Sequence, residues 1–394
     1  MATEHCDCDG DGGLPEDQVF EMLTRVSLGD LDACRQVSAR WRRLTYEPGF
    51  ARLHCRRAAA VSGYFVQSVA RNRYAADFVS MHASPEASAA KISLAFLPSA
   101  HVRVVAVAAH GGLAVCCAAD ADTQRPPRYY VCKPATRQWR ALPSPRTRFR
   151  AAATAMVARP RPSGDAANAA AVDFKIVRLS SVPARWDYLR CEVFDSRRFA
   201  WRRSADVAVC PASLAPTAPA VRAHGAVHWL RWPDRLTGEQ DIFSFDVKNE
   251  TWRLVRLPPE VEEMEDRWAR KKIVAVEGRL CLLVIMEVQG EEVLEMWVMA
   301  SYADERWEKK MAVSLKRLHM QEGSAVVLRD LCSSDVAFLD SFCRVMWGKV
   351  SEVQVNHVCV QEVFKYESDL VPCEIGTGFQ SPARMPSKEL LKED

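Results

Sequence analysis

Several features that mark whole classes of protein are missing from this sequence of 394 residues. The longest apolar stretch, residues 104 to 119, is broken by His110-Gly111-Gly112 and is built largely of alanine, so it does not make a membrane span. The first thirteen residues, MATEHCDCDGDGG, are acidic and contain no apolar signal core. We therefore expect no membrane partner and a location in the cytoplasm, the nucleus or both.

The sequence also has almost no excess of charge of one sign. Lysine and arginine number 53 against 50 aspartates and glutamates, which gives a net charge of only +3. So small and unclustered an excess argues against a dedicated nucleic-acid-binding protein. Hydrophobic residues make up 48% of the chain and charged residues 26%, which is typical of a folded globular protein.

The sequence carries residue types used in catalysis but not the patterns that make a site. It has no Gly-x-Ser-x-Gly elbow, no glycine-rich phosphate loop ending in Lys-Ser/Thr and no His-Glu-x-x-His helix. His5, Cys6 and Cys8 lack the Cys-x-x-Cys that would complete a structural zinc site. His224 and His228 have a spacing that could ligate a metal, although a core or loop role is favoured because no third ligand is close in sequence. We therefore predict no catalytic residue, no metal and no cofactor.

Residues 14 to 53 predict three short helices. Pro15 suits a first helical turn because that turn needs no N–H, and Glu16 and Asp17 place negative charge at the positive end of the helix dipole. Apolar residues then recur on one face of helix one, namely Val19, Phe20, Leu23 and Val26. In helix two, capped by Asp30, the apolar positions are Leu31, Cys34, Val37, Trp41 and Leu44. A last short segment contains Phe50 and Leu53.

About forty residues cannot bury enough surface to fold securely alone, so these apolar stripes need more protein to cover them. From the residues alone, a generic amphipathic helical hairpin is the alternative. The ordered positions resemble the F-box: Leu14-Pro15-Glu16-Asp17, Leu23, Leu31, Arg35, Val37, Trp41-Arg42-Arg43-Leu44, Pro48-Gly49-Phe50 and His54. Two positions depart from the family pattern: Ser27, usually proline, and Ser38-Ala39-Arg40, where Cys-Lys is usual. These departures bear on affinity for the adaptor more than on family membership.

The resemblance implies a partner, the Skp-type adaptor of a cullin–RING ubiquitin ligase. It places eight residues at or behind the docking surface: Leu14, Pro15, Val19, Phe20, Leu23, Leu31, Val37 and Trp41.

After the helices, a unit of two strands joined by a polar turn recurs, and each second strand opens with tryptophan. The copies are residues 129–143, 191–201 and 242–252, with a weaker copy at 295–307. Their tryptophans, Trp139, Trp201, Trp252 and Trp307, are about fifty to sixty residues apart, a period typical of kelch-like propeller blades. We expect these tryptophans to be largely buried and to occupy equivalent positions.

A second recurring element is a glycine followed by an apolar strand, at residues 111–116, 225–230 and 278–283. We expect this strand to be the buried inner strand of each unit, with the tryptophan hairpin lying outside it. Units of this kind cannot bury their faces alone, and stacking them around a ring solves that problem.

Tyr130-Val131-Cys132-Lys133-Pro134-Ala135-Thr136-Arg137-Gln138-Trp139 resembles the F-box-associated β domain of plant F-box proteins. Residues 362–366 resemble its closing strand. The predicted fold is therefore mainly β, with a small N-terminal three-helix F-box and a β-propeller-like domain of roughly fifty-residue repeats. The predicted boundaries are a leader at 1–13, the F-box at 14–56, the propeller at 57–375 and a flexible tail at 376–394.

Such a chain is expected to act as the substrate receptor of a ubiquitin ligase, in which the propeller holds an unknown target protein. Two loops with charge of one sign are candidates for target binding, and the residues we assign to that role are Arg146, Arg148, Arg150, Glu262, Glu263 and Glu265. Two alternatives stay open: a protein-binding scaffold that works without the ligase, and a propeller enzyme.

Overall fold

We describe a computed structural model of the chain. The described residues are 14–26, 31–45, 47, 50–57, 60–70, 73–80, 92–99, 101–108, 111–118, 127–161, 172–183, 185–214, 218–234, 237–262, 270–314, 326–332, 335–340, 344–347, 351–354, 360–369 and 373–375. The predicted leader, the predicted tail, Glu263 and Glu265 lie outside them.

The N-terminal segment forms four helices: α1 (Glu16–Leu23), α2 (Leu31–Val37), α3 (Ala39–Thr45) and α4 (Phe50–Arg57). The predicted second helix is divided in two at Ser38, because the Ser38 hydroxyl accepts a hydrogen bond from the Trp41 N–H at 3.3 Å and so caps a new helix. The core of this helical unit consists of Val19, Leu23, Leu31, Leu44 and Phe50.

The remaining chain is β structure. The first pair of strands is β1 (Ala60–Ala70) and β2 (Arg73–Ser80). Sheets of four antiparallel strands follow: β3 (Val102–Val107), β4 (Ala114–Ala118), β5 (Tyr129–Lys133) and β6 (Gln138–Ala141); β7 (Ala151–Pro160), β8 (Val172–Val182), β9 (Arg185–Asp195) and β10 (Ala200–Arg203); β11 (Val221–Ala223), β12 (Ala226–Leu230), β13 (Asp241–Asp246) and β14 (Thr251–Arg256).

After α5 (Pro259–Glu262) come two more such sheets: β15 (Arg270–Val276), β16 (Arg279–Val288), β17 (Glu291–Ser301) and β18 (Arg306–Ser314); β19 (Val326–Cys332), β20 (Asp335–Asp340), β21 (Arg344–Trp347) and β22 (Ser351–Gln354). The final strand, β23 (Val360–Asp369), pairs with β1 in the order β2-β1-β23. The described strands thus make a propeller of five four-stranded sheets. It is closed by a three-stranded sheet in which the early strands β1 and β2 join the late strand β23.

The predicted closing strand is confirmed. β23 runs antiparallel to β1 with Phe65 opposite Phe364, and the rings of Phe65 and Tyr366 lie 5.1 Å apart. β23 also contacts β3 and β19, which are the first strands of two other sheets. The chain therefore closes the ring by pairing an early strand with a late one.

The repeated tryptophans occupy equivalent positions. Trp139, Trp201, Trp252 and Trp307 are each the second residue of the fourth strand of a sheet. The residue two places before each tryptophan is left-handed, with φ between 49° and 58°, so the four turns share one shape.

Their burial is less uniform than expected. Trp201 and Trp307 are buried, and each indole N–H donates to a carbonyl at or just beyond the end of the preceding sheet, at Pro143 (2.8 Å) and Arg256 (3.0 Å). Trp139 and Trp252 are only partly buried. All four tryptophans are therefore largely buried, as predicted, although Trp201 and Trp307 are buried more deeply than the other two.

The glycine-led strands are buried as predicted, but they are second in their sheets. β4, β12 and β16 each follow a shorter or less apolar strand. In β3, for example, the residues alternate between buried and half-buried instead of forming one apolar run.

Turns in such sheets alternate between the two ends of the propeller. The turns between strands one and two and between strands three and four lie at one end. We call it the helix end. Lys133 at a third-to-fourth turn pairs with Asp369, and Asp369 lies opposite Ala60, three residues after α4. The other end, which carries the second-to-third turns and the connections between sheets, is the loop end.

Candidate interfaces at the two ends of the propeller

Some of the apolar residues of the helical unit stay exposed. Among the eight predicted adaptor-binding residues, Val19, Leu23 and Leu31 are buried in the unit's own core, while Phe20 and Trp41 are partly buried. Pro15 is exposed, Leu14 is 43% exposed and Val37 is 70% exposed. An apolar side chain so open to water suits a surface that a partner covers.

One further apolar residue of α1, Met22, is 47% exposed and was not among the predicted residues. Met22 comes three residues after Val19 on α1, a spacing that by itself predicts the buried face, so the sequence carries no signal of its exposure. We call Leu14, Met22 and Val37 the exposed apolar set.

Polar contacts hold the four helices together. The Arg40 guanidinium donates to the Leu14 carbonyl at 2.8 Å, and Arg43 pairs with Glu16. The Arg57 guanidinium donates to Glu21 and to the Thr24 hydroxyl. These contacts tie α3 and α4 to α1, and Arg35 Nε of α2 donates to the Thr45 hydroxyl of α3 at 3.0 Å, so the exposed apolar set lies on a defined frame.

A charged contact joins the helical unit to the propeller. The Arg42 Nε atom of α3 lies 3.2 Å from Glu277 Oε1 in the turn between β15 and β16. Helix α4 also contacts β1. The helices therefore lie against the helix end, away from the connections between sheets.

At the loop end, residues 143–150 connect β6 to β7, and we call this segment the arginine loop. Burial alternates along it: Pro145 and Thr147 are buried, whereas Arg146, Arg148 and Arg150 are exposed. The three predicted basic residues therefore project together from one side of the loop.

A buried ion pair anchors this loop. Arg178 and Glu192 are 0% and 1% exposed and lie 3.1 Å apart. Arg178 donates to the Thr147 carbonyl at 3.0 Å, and Glu192 accepts from the Thr147 N–H at 3.0 Å. Removing either partner would leave a buried charge, so the anchor is rigid.

The predicted acidic loop begins with α5, also at the loop end. Glu260 and Glu262 are exposed, while Val261 and Leu257 are buried and hold the helix down. The structure therefore places this acidic segment and the arginine loop at the same end but on connections between different pairs of sheets.

Trp232, in the connection between β12 and β13, is 61% exposed at the loop end, and the sequence analysis did not single it out. Its backbone N–H donates to the Ser213 carbonyl at 2.7 Å, and the neighbouring Arg231 pairs with Asp241 at 2.8 Å. An exposed indole on a fixed backbone is typical of binding surfaces.

The two histidines with metal-like spacing are hydrogen-bonded within the propeller. His228 contacts the Val221 carbonyl through Nδ1 at 3.2 Å and the Tyr302 hydroxyl through Nε2 at 2.9 Å. His224 accepts from the Leu280 N–H at 3.1 Å and stacks on Tyr302 with ring centroids 4.6 Å apart. Burial lowers the pKa of His228 to about 4. Both ring nitrogens of His228 are thus hydrogen-bonded, Nδ1 within its own sheet and Nε2 to the next sheet.

Among the residues that the structure describes, no three metal-ligating side chains come together, and no helix is long and apolar enough to cross a membrane.

Three comparisons relate the chain to known proteins. It is 28% identical over 199 residues to F-box protein At5g49610 of Arabidopsis thaliana, covering 48% of this chain and 51% of that protein. It is 29% identical over 175 residues to F-box protein At5g41720 of the same plant, covering 44% of this chain and 89% of that protein. The chain thus spans about half the length of the first of these relatives.

A solved structure is also similar: the beta-propeller domain of the Trilobed protease from Pyrococcus furiosus, at 9% identity and a TM-score of 0.36, covering 69% of this chain and 98% of that one. The model of the family "F-box protein At3g26010-like, beta-propeller" matches residues 69–337, which is more than half of the chain. With the repeated sheets described above, this match shows that the chain belongs to that family of plant F-box proteins with a propeller domain.

Proposed function

We propose that this protein is the substrate-recognition subunit of an SCF-type cullin–RING ubiquitin ligase. Its helical unit docks on a Skp-type adaptor, and through it on cullin and RING subunits, while the propeller holds a target protein. It acts in the cytoplasm, the nucleus or both, where such a ligase would meet its target.

The observation that carries this proposal is the exposed apolar set on the helical unit. Leu14, Met22 and Val37 are open to water although the unit has its own core in Val19, Leu23 and Leu44. Covering these side chains is favourable by about 25 cal/mol per Å² of apolar area removed from water. An adaptor that covers the set would also leave the loop end free.

No bond chemistry is assigned to this subunit. A receptor of this kind raises the local concentration of target lysines near the ubiquitin-loaded enzyme, so proximity is its whole contribution to catalysis. Target binding is assigned to the loop end, where Arg146, Arg148, Arg150 and Glu262 are exposed on connections between sheets. Glu263 and Glu265 remain part of the assignment from sequence.

The proposal predicts that Val37→Glu weakens adaptor binding at least tenfold, since an adaptor covering Val37 would bury the new charge without a partner. Because Val37 is 70% exposed, the variant should fold normally. Affinity for purified adaptor would be measured by calorimetry.

Val288→Glu is the matched control, because Val288 is 43% exposed and lies in β16 of the propeller. It should leave adaptor affinity unchanged. Wild-type affinity in Val37→Glu would count against this docking surface. Failure of the unmodified protein to capture the adaptor at all would favour the ligase-independent scaffold.

A further inference from the structure

The arginine loop has a geometry that favours a particular class of ligand. Three arginines at alternate positions, Arg146, Arg148 and Arg150, are exposed, and the intervening Thr147 is buried. In an extended chain, side chains two residues apart on one face are about 6–7 Å apart. The loop therefore displays an exposed arginine at every second residue from 146 to 150.

The loop is held along its length by the next sheet. The indole N–H of Trp201 donates to the Pro143 carbonyl at 2.8 Å, and the Ser181 N–H donates to the Arg150 carbonyl at 3.0 Å. Arg178, which is fully buried, donates to the carbonyls of Thr147 and Phe149. A loop tied at four of its eight residues loses little conformational freedom when a ligand binds.

The positive charge on this surface is not neutralised. Within the part of the chain that the structure describes, Arg146, Arg148 and Arg150 form no ion pair. Arg190 adds a fourth guanidinium, placed 5.8 Å from the ring centre of Phe149, and its buried Nε has no hydrogen-bond partner among the described atoms. Three open arginines on one anchored loop would bind several anionic groups at once.

We infer that the arginine loop binds an extended segment of the target protein that carries an anionic side chain at every second residue. The repeat of the arginines matches the repeat of side chains on one face of an extended peptide. Each anion would accept charge-assisted hydrogen bonds from one guanidinium. This inference rests on the proposed function only in naming the ligand as a target segment.

The anions have two sources, carboxylates of Asp or Glu and phosphates on Ser or Thr, and both fit a guanidinium. The test uses the purified full chain and fluorescent peptides of about ten residues. One peptide has three glutamates at alternate positions, a second has three phosphoserines there, and a third has three consecutive glutamates. A single-stranded RNA of equal charge is the fourth probe.

We expect an alternating peptide to bind at least tenfold more tightly than the peptide with consecutive glutamates. Arg146→Glu with Arg148→Glu should weaken that binding at least tenfold, and more so at low salt than at high salt. The phosphoserine and glutamate arms identify the anion by which of them binds more tightly.

The matched control reverses Arg198 and Arg306, two exposed arginines in third-to-fourth turns at the helix end. It makes the same change in net charge and should leave peptide binding unchanged. Equal affinity for alternating and consecutive peptides, equal effects of the two double reversals, or reversal-sensitive binding of the RNA alone would each overturn the inference. Adaptor binding by the same protein reports separately on the proposed function.

Discussion

His228 shows how single residues join neighbouring sheets of the propeller. Its Nδ1 atom must carry the proton, because the carbonyl of Val221 can only accept, and the Tyr302 hydroxyl then donates to Nε2. The Tyr302 hydroxyl is also hydrogen-bonded to the Ser244 hydroxyl at 2.6 Å, and the Arg253 guanidinium lies 4.1 Å from the Tyr302 ring centre. With His228 neutral, each of its ring nitrogens has a hydrogen-bond partner. Protonation of His228 would therefore place a charge in a buried site beside Arg253 and His224.

This predicts that the protein loses stability in mild acid. The pKa of His228 is lowered to about 4 by burial, so the unfolded chain binds the proton first as the pH falls. The stabilisation is complete above the unfolded pKa near 6.5 and is lost between about 6.5 and 4, which amounts to about 2 kcal/mol by pH 5.

Urea titrations at pH 7 and pH 5 would measure this loss. His228→Gln cannot titrate, so its free energy of unfolding should change about 2 kcal/mol less between the two pH values than that of the wild type. The same pH dependence in both proteins would show that other groups cause it.

At the scale of elements, the segment after the closing strand is built into the propeller. Cys373 and Ile375 belong to a buried cluster with residues of β4, β5 and β8. The side-chain amide of Gln138 donates to the Cys373 carbonyl at 3.1 Å and accepts from the Cys373 N–H at 3.0 Å. The segment therefore fastens the first complete sheet at the place where the ring closes.

We predict that Gln138→Ala lowers the free energy of unfolding by about 2–3 kcal/mol, because it leaves the buried N–H and C=O of Cys373 without partners. Denaturant unfolding would measure the loss. Gln240→Ala is the control, since the half-exposed Gln240 makes one hydrogen bond, to the Arg231 carbonyl at 2.7 Å. A loss no larger than that of the control would mean that Gln138 does not secure the segment.

At the scale of the whole molecule, the features that could be predicted from the sequence are those set by residues close together in the chain. The hairpins whose second strands begin next to Trp139 and Trp252 could be recognised, because their turn residues and strand pattern lie within about ten positions of each other. The anchor of the arginine loop could not, because Arg178 and Glu192 lie 31 and 45 residues from Thr147. The exposure of Trp232 likewise depends on packing that no local pattern encodes.

How the helical unit is set on the propeller also depends on residues far apart in sequence. Arg42 and Glu277 approach to 3.2 Å, with side chains 43% and 15% exposed. A pair this open to solvent stabilises by no more than about 1 kcal/mol. Such a contact contributes little to folding, yet it orients the N-terminal helices relative to the loop end.

We therefore predict that Glu277→Lys increases hydrogen exchange in α3 by about two- to fivefold, with little effect on global unfolding. Glu305→Lys is the matched control, because Glu305 is also left-handed (φ 52° against 51°) but pairs with Arg253 inside the propeller, so it should leave α3 unchanged. Combining Glu277→Lys with Arg42→Glu restores opposite charges across the contact and should restore protection of α3. If the double variant exchanges as fast as Glu277→Lys alone, the charge pair does not hold the helices in place.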